Sequence, residues 1–310
     1  MKYVLTETTK EWSGTKLYQI KALRDIPEIG VKAGDLGGWI ASEENLDQVG
    51  KAWVSDHACV YDNARVSEDA VVSGYAQVYG NATVTGDAMV SGDSQVYGDA
   101  RVSDDALVSD SARVFGDARV SGRACIYDRA VVYGDAWVSD DAQVFGDAQV
   151  YDRAVVYGDA WVFEDAQVSG DARVFGDARV FGYARVSGDA WVFDSAQVFG
   201  SAQVSGGAWV CGDASVSGDA SVAGDALVES RKHIFWASSV GSESGTITSY
   251  TTKTGAIEVT RGCFRGSIAE FEAAVRNKHD GNRHGEEYLA IIQYIRLRFR
   301  HVLNCITAET

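Results

Sequence analysis

The chain has 310 residues, a formal net charge of −16, 46% hydrophobic residues and a single proline. This composition supports a sizeable core and excludes a disordered chain, and the sequence has no uncharged apolar run long enough to span a bilayer. The first residues lack the basic start and apolar run of a signal peptide, so we expect a cytoplasmic protein. The five cysteines are widely spread without a Cys-x-x-Cys motif, which favours reduced structural thiols over disulfides or zinc ligands: Cys59, Cys125, Cys211, Cys263 and Cys305.

Residues 1–50 precede the regular part of the sequence and are expected to form an N-terminal cap. The stretch LYQIKALRDI alternates like a strand, and the glycine-rich stretch VKAGDLGGWIASEENL leads into the repeats that follow. A segment of this kind can cover the open strand edge of a first coil.

Residues 51–229 carry a six-residue repeat. Every position divisible by six from 54 to 228 is Val, except Ile126, and the residue two places earlier is Ala, except Ser94. Alternation predicts a very short strand in each hexad with Ala and Val facing inward. The first corner residue after each strand is Gly in 19 of 29 cases, Asp in eight and Glu in two, which is typical of a left-handed backbone conformation. One hexad cannot enclose a core, so the 30 hexads predict a stack of coils that share one.

The hexad V-x-[GD]-x-A-x resembles that of the hexapeptide-repeat superfamily of left-handed parallel β-helices. In that superfamily three hexads form one triangular turn, with an aliphatic and a small residue inside. The resemblance covers residues 51–229 and implies a mainly β fold of about ten triangular coils. It is specific for the fold and carries little information on function.

Residues 230–310 lose the hexad and are expected to form a small C-terminal α+β domain of about three strands and two helices. The stretches HIFWASSV, TITSYTTK and AIEVTRGCF are predicted to be strands. Ser267 and Glu270 form a predicted capping box at the start of one helix. The stretch EEYLAIIQYIRLRFRHVL is predicted to be the second helix, with apolar residues 288, 291, 292, 295 and 299 on one face.

The two sequences that flank the repeat carry a further resemblance. GDLGGWI before it and GCFRGSIAEFEAAV after it are similar to proteins encoded by bacteriophages and prophages. The resemblance implies a phage origin and the cytoplasm of an infected or lysogenic bacterium, and it implies no established chemistry.

Acidic residues are concentrated in the repeat, where 28 Asp and Glu stand against 11 Lys and Arg. The resulting charge of −17 corresponds to about one net charge per 3 Å of solenoid, against about one per 1.7 Å in duplex DNA. Mimicry of a nucleic acid is therefore one interpretation; the other is that Asp makes good corners and keeps the solenoid soluble. The predicted acidic partner surface comprises Asp99, Asp117, Asp135 and Asp171. If recognition instead resides in the C-terminal domain, the predicted basic residues are Arg296, Arg298 and Arg300.

Aromatic residues recur at the position after valine in every third hexad. Rings about 4.8 Å apart can stack and stabilise the solenoid, which explains a row of mostly tyrosines from Tyr61 to Tyr151. The Phe and Trp residues of the later coils are less well explained in this way, because they predict an exposed apolar surface typical of an interface. We expect this surface to form a closed homo-oligomer, a dimer or, following the superfamily's habit, a trimer. Its predicted members are Phe145, Phe163, Phe181, Phe199, Phe175, Phe193, Trp161, Trp191 and Trp209.

Candidate catalytic residues are few. Acyltransferases that share the resembled fold use a catalytic His and a loop that leaves the coil, whereas this repeat has no excursion and only His57 within it. His279 and His284 lie in HDGNRHGEE, which is more typical of a polar loop than of a metal site, and no phosphate loop, dinucleotide fingerprint or nucleophile elbow occurs.

The sequence thus predicts a non-enzymatic, phage-type binding protein without a cofactor. It would occupy or inhibit a host protein, such as a component of anti-phage defence, rather than bind nucleic acid or a membrane. The alternatives are a self-associating scaffold or virion component and, third, a hexapeptide-repeat acyltransferase.

Overall fold

The computed structural model describes residues 1–300. Cys305 and the predicted end of the second helix, residues 301–303, lie outside the described residues. The chain divides into two compact units, Met1–Glu164 and Asp165–Thr310.

Unit 1 begins with three strands that form the N-terminal cap. Strands β1 (Tyr3–Trp12) and β2 (Thr15–Ala22) form an antiparallel hairpin, and β3 (Leu36–Ile40) pairs antiparallel with β2. On its other side β3 pairs in parallel with Cys59–Val60 of the first coil. Two short 3-10 helices, Pro27–Ile29 and Glu43–Asn45, connect these parts. Strand β3 thereby covers a strand edge of the first coil, as the sequence predicts.

The rest of unit 1 is a parallel β-solenoid. Its nineteen strands are each a residue pair, one in every hexad, from β4 (Trp53–Val54) to β22 (Trp161–Val162). From β4 to β19 each strand pairs in parallel and in register with the third strand after it, as Gln95 does with Arg113, so that one turn contains three strands. Each strand is very short, as predicted, because the residue after each Val already begins the corner.

Alanine and valine fill the interior of these coils, as the alternation predicts. The Ala and Val residues of the repeat are at most about 1% exposed, and so is Ile126. Ser94 occupies an alanine position and is fully buried as well. A small and a β-branched residue on each short side give a narrow core without polar side chains other than this one.

Unit 2 continues the repeat with eleven strands of the same length, from β23 (Gln167–Val168) to β33 (Leu227–Val228). A 3-10 helix, Arg231–His233, leads to an antiparallel sheet in chain order: β34 (Ile234–Val240), β35 (Gly245–Thr251), β36 (Ile257–Arg261) and β37 (Phe264–Ser267). Helices α1 (Ile268–His279) and α2 (Arg283–Arg298) follow.

The C-terminal domain differs from the expectation in one respect. AIEVTRGCF is not one strand but the beginning of a hairpin, because the chain reverses at Gly262, where φ is +57°, and the domain has four strands rather than three. The predicted capping box is present, since the Ser267 hydroxyl accepts from the Glu270 N–H and the Glu270 carboxylate accepts from the Ser267 N–H.

The four-stranded sheet closes the last coil of unit 2. Thr248 Oγ1 accepts a hydrogen bond from the Ser221 N–H at 3.0 Å, and Thr260 Oγ1 donates one to the Ser221 carbonyl at 2.8 Å. The Tyr250 hydroxyl accepts from the Ala223 N–H at 3.3 Å. Side chains of the sheet therefore satisfy strand-edge groups of the solenoid that would otherwise remain unpaired. Among the described residues, no helix is long and apolar enough to cross a membrane.

Candidate binding surfaces

The first corner position of each hexad adopts the left-handed conformation that the sequence predicts. All ten acids at these positions have φ between 56° and 61°. Their carboxylates do more than tolerate this geometry: Asp104 Oδ2, for example, accepts a hydrogen bond from the Gly122 N–H of the next coil at 3.0 Å. The same contact is made by Asp56, Asp62, Glu68, Asp110, Asp128, Asp140 and Asp194. A substantial part of the acidity is therefore explained within the solenoid.

The second corner position carries the predicted acidic partner residues. Asp99, Asp117 and Asp135 are exposed and lie on successive coils at one corner of unit 1, which we call the Asp99 ridge. Asp99 accepts a hydrogen bond from the amide of Asn81 at 2.9 Å. Among the described residues, the carboxylates of Asp117 and Asp135 have no such partner. Asp171, the fourth predicted residue, is half-buried and belongs to unit 2.

Other corners of unit 1 neutralise part of their own charge. Arg123 forms an ion pair with Asp141 at 2.6 Å, and Lys51 forms one with Asp69 at 3.1 Å. The exposed side chains of Arg101 and Arg119 also occupy paired positions on the face that follows the Asp99 ridge. The negative surface is thus divided into stripes and is not a continuous acidic surface like that of duplex DNA.

The mostly tyrosine row of unit 1 forms the predicted ladder. From Tyr61 to Tyr151 each ring stacks on the next, with centroids 4.7 to 5.1 Å apart and planes within 8° of parallel. Burial raises the pKa of Tyr61, Tyr79 and Tyr133. These rings stabilise the solenoid by covering one another.

The predicted self-association residues form similar ladders. In unit 1, Phe145 stacks on Phe163 at 4.9 Å, and the ring of Trp161 meets both edge-on. In unit 2, Phe175 stacks on Phe193, Phe181 on Phe199, and Trp191 on Trp209. All nine residues are half-buried rather than exposed. Neighbouring rungs cover the ring faces, so the apolar area left to a partner is smaller than the sequence suggests.

One further apolar row lies outside the sequence-based expectation. On the same sheet of unit 1 as Phe145, the residues before the inward-facing Val or Ile are Val71, Met89, Leu107 and Cys125, which pair in register across neighbouring coils. Met89 is 49% exposed. The sequence carries the signal, because these residues also recur in every third hexad, but at the position before valine rather than after it.

His57 lies in unit 1, whereas His279 and His284 lie in unit 2. His57 is exposed at a corner, where its ring stacks on Tyr75 at 4.8 Å. The rings of His279 and His284 are 6.1 Å apart, and within residues 1–300 no group of three or more His, Cys, Asp or Glu side chains is placed to hold a metal ion.

Two of the three predicted recognition arginines have partners inside the C-terminal domain. Arg296 pairs with Glu272 at 2.5 Å. Arg298 donates to the carbonyls of Ile234 and Arg231 and so fastens α2 to the start of the domain. Arg300 is exposed at the end of the described residues.

Comparison with known families agrees with this architecture. A search of curated proteins found no match. Five segments, together about a quarter of the chain, match the model of the YdcK beta solenoid repeat: 58–74, 76–92, 94–110, 148–164 and 166–182. Adjacent segments begin three hexads apart, which is the length of one turn. In these segments the chain is similar to the YdcK beta solenoid repeat, which supports a repetitive β-helix.

Proposed function

We propose that the chain is a non-enzymatic binding protein that uses its solenoid to occupy a macromolecule of the host cell. The observation that carries the proposal is the Asp99 ridge, where exposed carboxylates repeat at a fixed spacing on a surface built from backbone hydrogen bonds. Asp99 N–H donates to the Gly116 carbonyl at 2.9 Å, so that the coils that carry successive carboxylates are about 4.8 Å apart. Such a surface complements a basic patch on a partner.

The class of partner follows from this charge and from the resemblance of the flanking sequences to phage and prophage proteins. A host protein with a basic surface, such as a nucleic-acid-binding component of anti-phage defence, fits both. The arginine stripe beside the ridge favours a docking surface of limited width over general imitation of a duplex.

The experiment removes three charges from the ridge without altering the corner geometry. In the variant Asp99→Asn, Asp117→Asn, Asp135→Asn, each amide keeps an oxygen acceptor and a turn-compatible side chain. The matched control, Asp87→Asn, Asp105→Asn, Asp159→Asn, removes three exposed acids from another corner of unit 1. The wild-type protein and both variants serve as bait in a bacterial lysate, captured proteins are identified by mass spectrometry, and each affinity is then measured with the purified partner.

We expect the ridge variant to bind the captured partner about tenfold more weakly and the control to bind nearly as well as the wild-type protein. Binding should also weaken as ionic strength rises. Equal affinities for all three proteins, or affinity that is insensitive to salt, would exclude the ridge as the recognition surface.

Self-association is the second candidate function, and the half-buried aromatic ladders together with the Met89 row favour it. Light scattering should then find a dimer or trimer, and Phe163→Ser, Phe181→Ser, Phe199→Ser should yield a smaller folded species. Phe115→Ser, within the tyrosine row, is the matched control and should leave the oligomer intact. A wild-type protein that is monomeric at tens of micromolar would refute this candidate.

An acyltransferase is tested separately. Calorimetry should detect no saturable binding of acetyl-CoA. His57→Ala should keep the affinity for the captured partner, because the His57 ring stacks on Tyr75 at a corner away from the Asp99 ridge. Saturable acetyl-CoA binding that His57→Ala abolishes would overturn the non-enzymatic proposal.

A further inference from the structure

The C-terminal domain contains a cavity that neither the solenoid nor the proposed function uses. Its volume is about 300 Å³, at the lower end of the range for small-molecule sites. Strands β36 and β37 contribute Arg261 and Phe264, helix α1 contributes Phe271 and Val275, and α2 contributes Tyr288. Ala274 of α1 also lines the cavity, so the part of its wall formed by β37, α1 and α2 is mainly apolar.

Two glycines shape this cavity. A Cβ on Gly245 would overlap the Arg261 guanidinium, and one on Gly241 would overlap the Tyr288 hydroxyl. Gly241 also has a φ of +72°, and its N–H donates to the Glu287 carboxylate at 3.0 Å. The β34–β35 turn is thus fixed to α2. The absence of a side chain at Gly245 leaves room for the Arg261 guanidinium at the cavity wall.

Arg261 is incompletely satisfied in this position. Its side chain is only 11% exposed, and Nη2 donates to the Val240 carbonyl at 3.0 Å. Nη1 lies 4.0 Å from the Glu243 carboxylate, beyond hydrogen-bond distance. Nε is buried and has no acceptor among the described residues. Because it is buried, Nε is out of reach of a ligand, whereas Nη1 has no hydrogen-bond acceptor among the described residues and is the nitrogen that an oxygen atom in the cavity can engage.

The charges around the cavity favour an anion. Lys278 and His279, in the last turn of α1, join Arg261 in its lining. The opposing groups are Glu243, whose side chain is 74% exposed, and the carbonyl end of α1. Exposure screens the Glu243 charge, whereas the enclosed Arg261 keeps most of its field, so the balance is positive.

We propose that this cavity binds a small carboxylate with a compact apolar body. The carboxylate accepts from Arg261 Nη1 and lies near Lys278, and the apolar body packs against Phe264, Phe271 and Val275. Guanidinium and carboxylate form strong, directed hydrogen bonds, and the cavity is large enough for a single ring or a short branched chain.

The test uses three probes of nearly equal shape. Phenylacetate, phenylacetamide and phenethylamine are titrated into the full-length protein and followed by calorimetry and by two-dimensional NMR. We expect phenylacetate to bind in the millimolar range that is ordinary for a fragment of this size, and the neutral amide and the cation to bind at least about tenfold more weakly.

Two variants place the binding in the cavity. Arg261→Gln and the exposed Lys278→Gln should each weaken phenylacetate binding several-fold, whereas Lys232→Gln, which removes an exposed charge from the same domain outside the cavity, should not. Because Arg261→Gln could destabilise the domain, Lys278→Gln carries the test if that variant does not fold. Each of four outcomes would overturn the proposal. They are no saturable binding of phenylacetate up to about 10 mM, equal binding of the amide, tighter binding of the amine, and unweakened phenylacetate binding by Lys278→Gln.

Discussion

Lys2 gives the sharpest test of how the N-terminal cap is held on the solenoid. Its side chain is fully buried, and its ammonium donates to the Ala52 carbonyl at 2.6 Å, with the Val49 carbonyl at 3.4 Å. Burial outweighs the nearby Asp47 carboxylate and lowers the pKa of Lys2 from 10.5 to about 8. The substitution Lys2→Met keeps most of the apolar stem and removes the titrating group.

The sign of the effect follows from proton linkage. Between pH 8 and 10.5 the unfolded chain holds more protons on Lys2 than the folded protein does, so the free energy of unfolding rises with pH in this window. For these two pKa values the gain between about pH 7 and about pH 9.5 is about 2 kcal/mol. Above pH 10 the buried tyrosines act in the opposite direction, because burial raises the pKa of Tyr3 and Tyr250 above that of an unfolded tyrosine. The comparison therefore stays below pH 10.

Urea unfolding of the wild-type protein and Lys2→Met at about pH 7 and about pH 9.5 measures the effect, and the difference between the two proteins cancels the other titrating groups. The wild-type protein should gain about 2 kcal/mol relative to the variant over this interval. Competitive acetylation of the N-terminal peptide, read by mass spectrometry, reports the pKa of Lys2 directly. A difference that does not change with pH, or a pKa of Lys2 near 10.5, would refute the argument that burial dominates at this site.

Two further substitutions test the corner and the core. Asp104→Ala should lower the free energy of unfolding by about 1–2 kcal/mol, because it removes the acceptor of the Gly122 N–H and still leaves a Cβ in the left-handed region. Asp104→Gly loses the same acceptor but has no Cβ, so it should destabilise the protein less. Equal losses for the two variants in denaturant titrations would contradict this argument about the corner. Ser94→Ala should be neutral or stabilising by up to about 1 kcal/mol, since the buried Ser94 hydroxyl has only a long contact of 3.5 Å to the Val108 carbonyl. If the variant instead loses more than about 1 kcal/mol of unfolding free energy in the same titrations, this hydrogen bond contributes to stability.

The sequence predicts the solenoid well because its determinants are local and repeat. Val at every sixth position and Ala two places earlier report burial directly, and Gly or Asp at the first corner position reports the left-handed backbone. The C-terminal domain is harder to predict: the hairpin at Gly262 divides one apolar stretch, and the contacts of Arg296 and Arg298 join residues far apart in the chain. Periodicity carries no information on such distant contacts. The cavity at Arg261 depends on three-dimensional proximity of this kind and could not be predicted.

The partition of the acids between the two corner positions bears on the proposed function. An acid at the first position, such as Asp104, has a reason internal to the fold, since its carboxylate holds the N–H of the next coil. The second corner position does not require a carboxylate for this purpose. On the Asp99 ridge the chain begins with amides: Asn63 donates to Asn81 at 3.0 Å, and Asn81 donates to Asp99 at 2.9 Å. Asn in place of Asp117 and Asp135 would continue this row of side-chain hydrogen bonds along the ridge.

Successive coils there instead carry carboxylates on backbones about 4.8 Å apart, and two like charges at that separation in water repel by roughly 1 kcal/mol. Solubility does not require this arrangement, because exposed acids elsewhere on the surface would serve equally well. Successive acids also occur at the control corner, as at Asp87 and Asp105, so what distinguishes the Asp99 ridge is the row of amides beside it, Asn63 and Asn81. We propose that the chain keeps carboxylates there for a partner. That contrast between Asn81 and Asp117, more than the net charge of −16, is the physical argument for a basic partner.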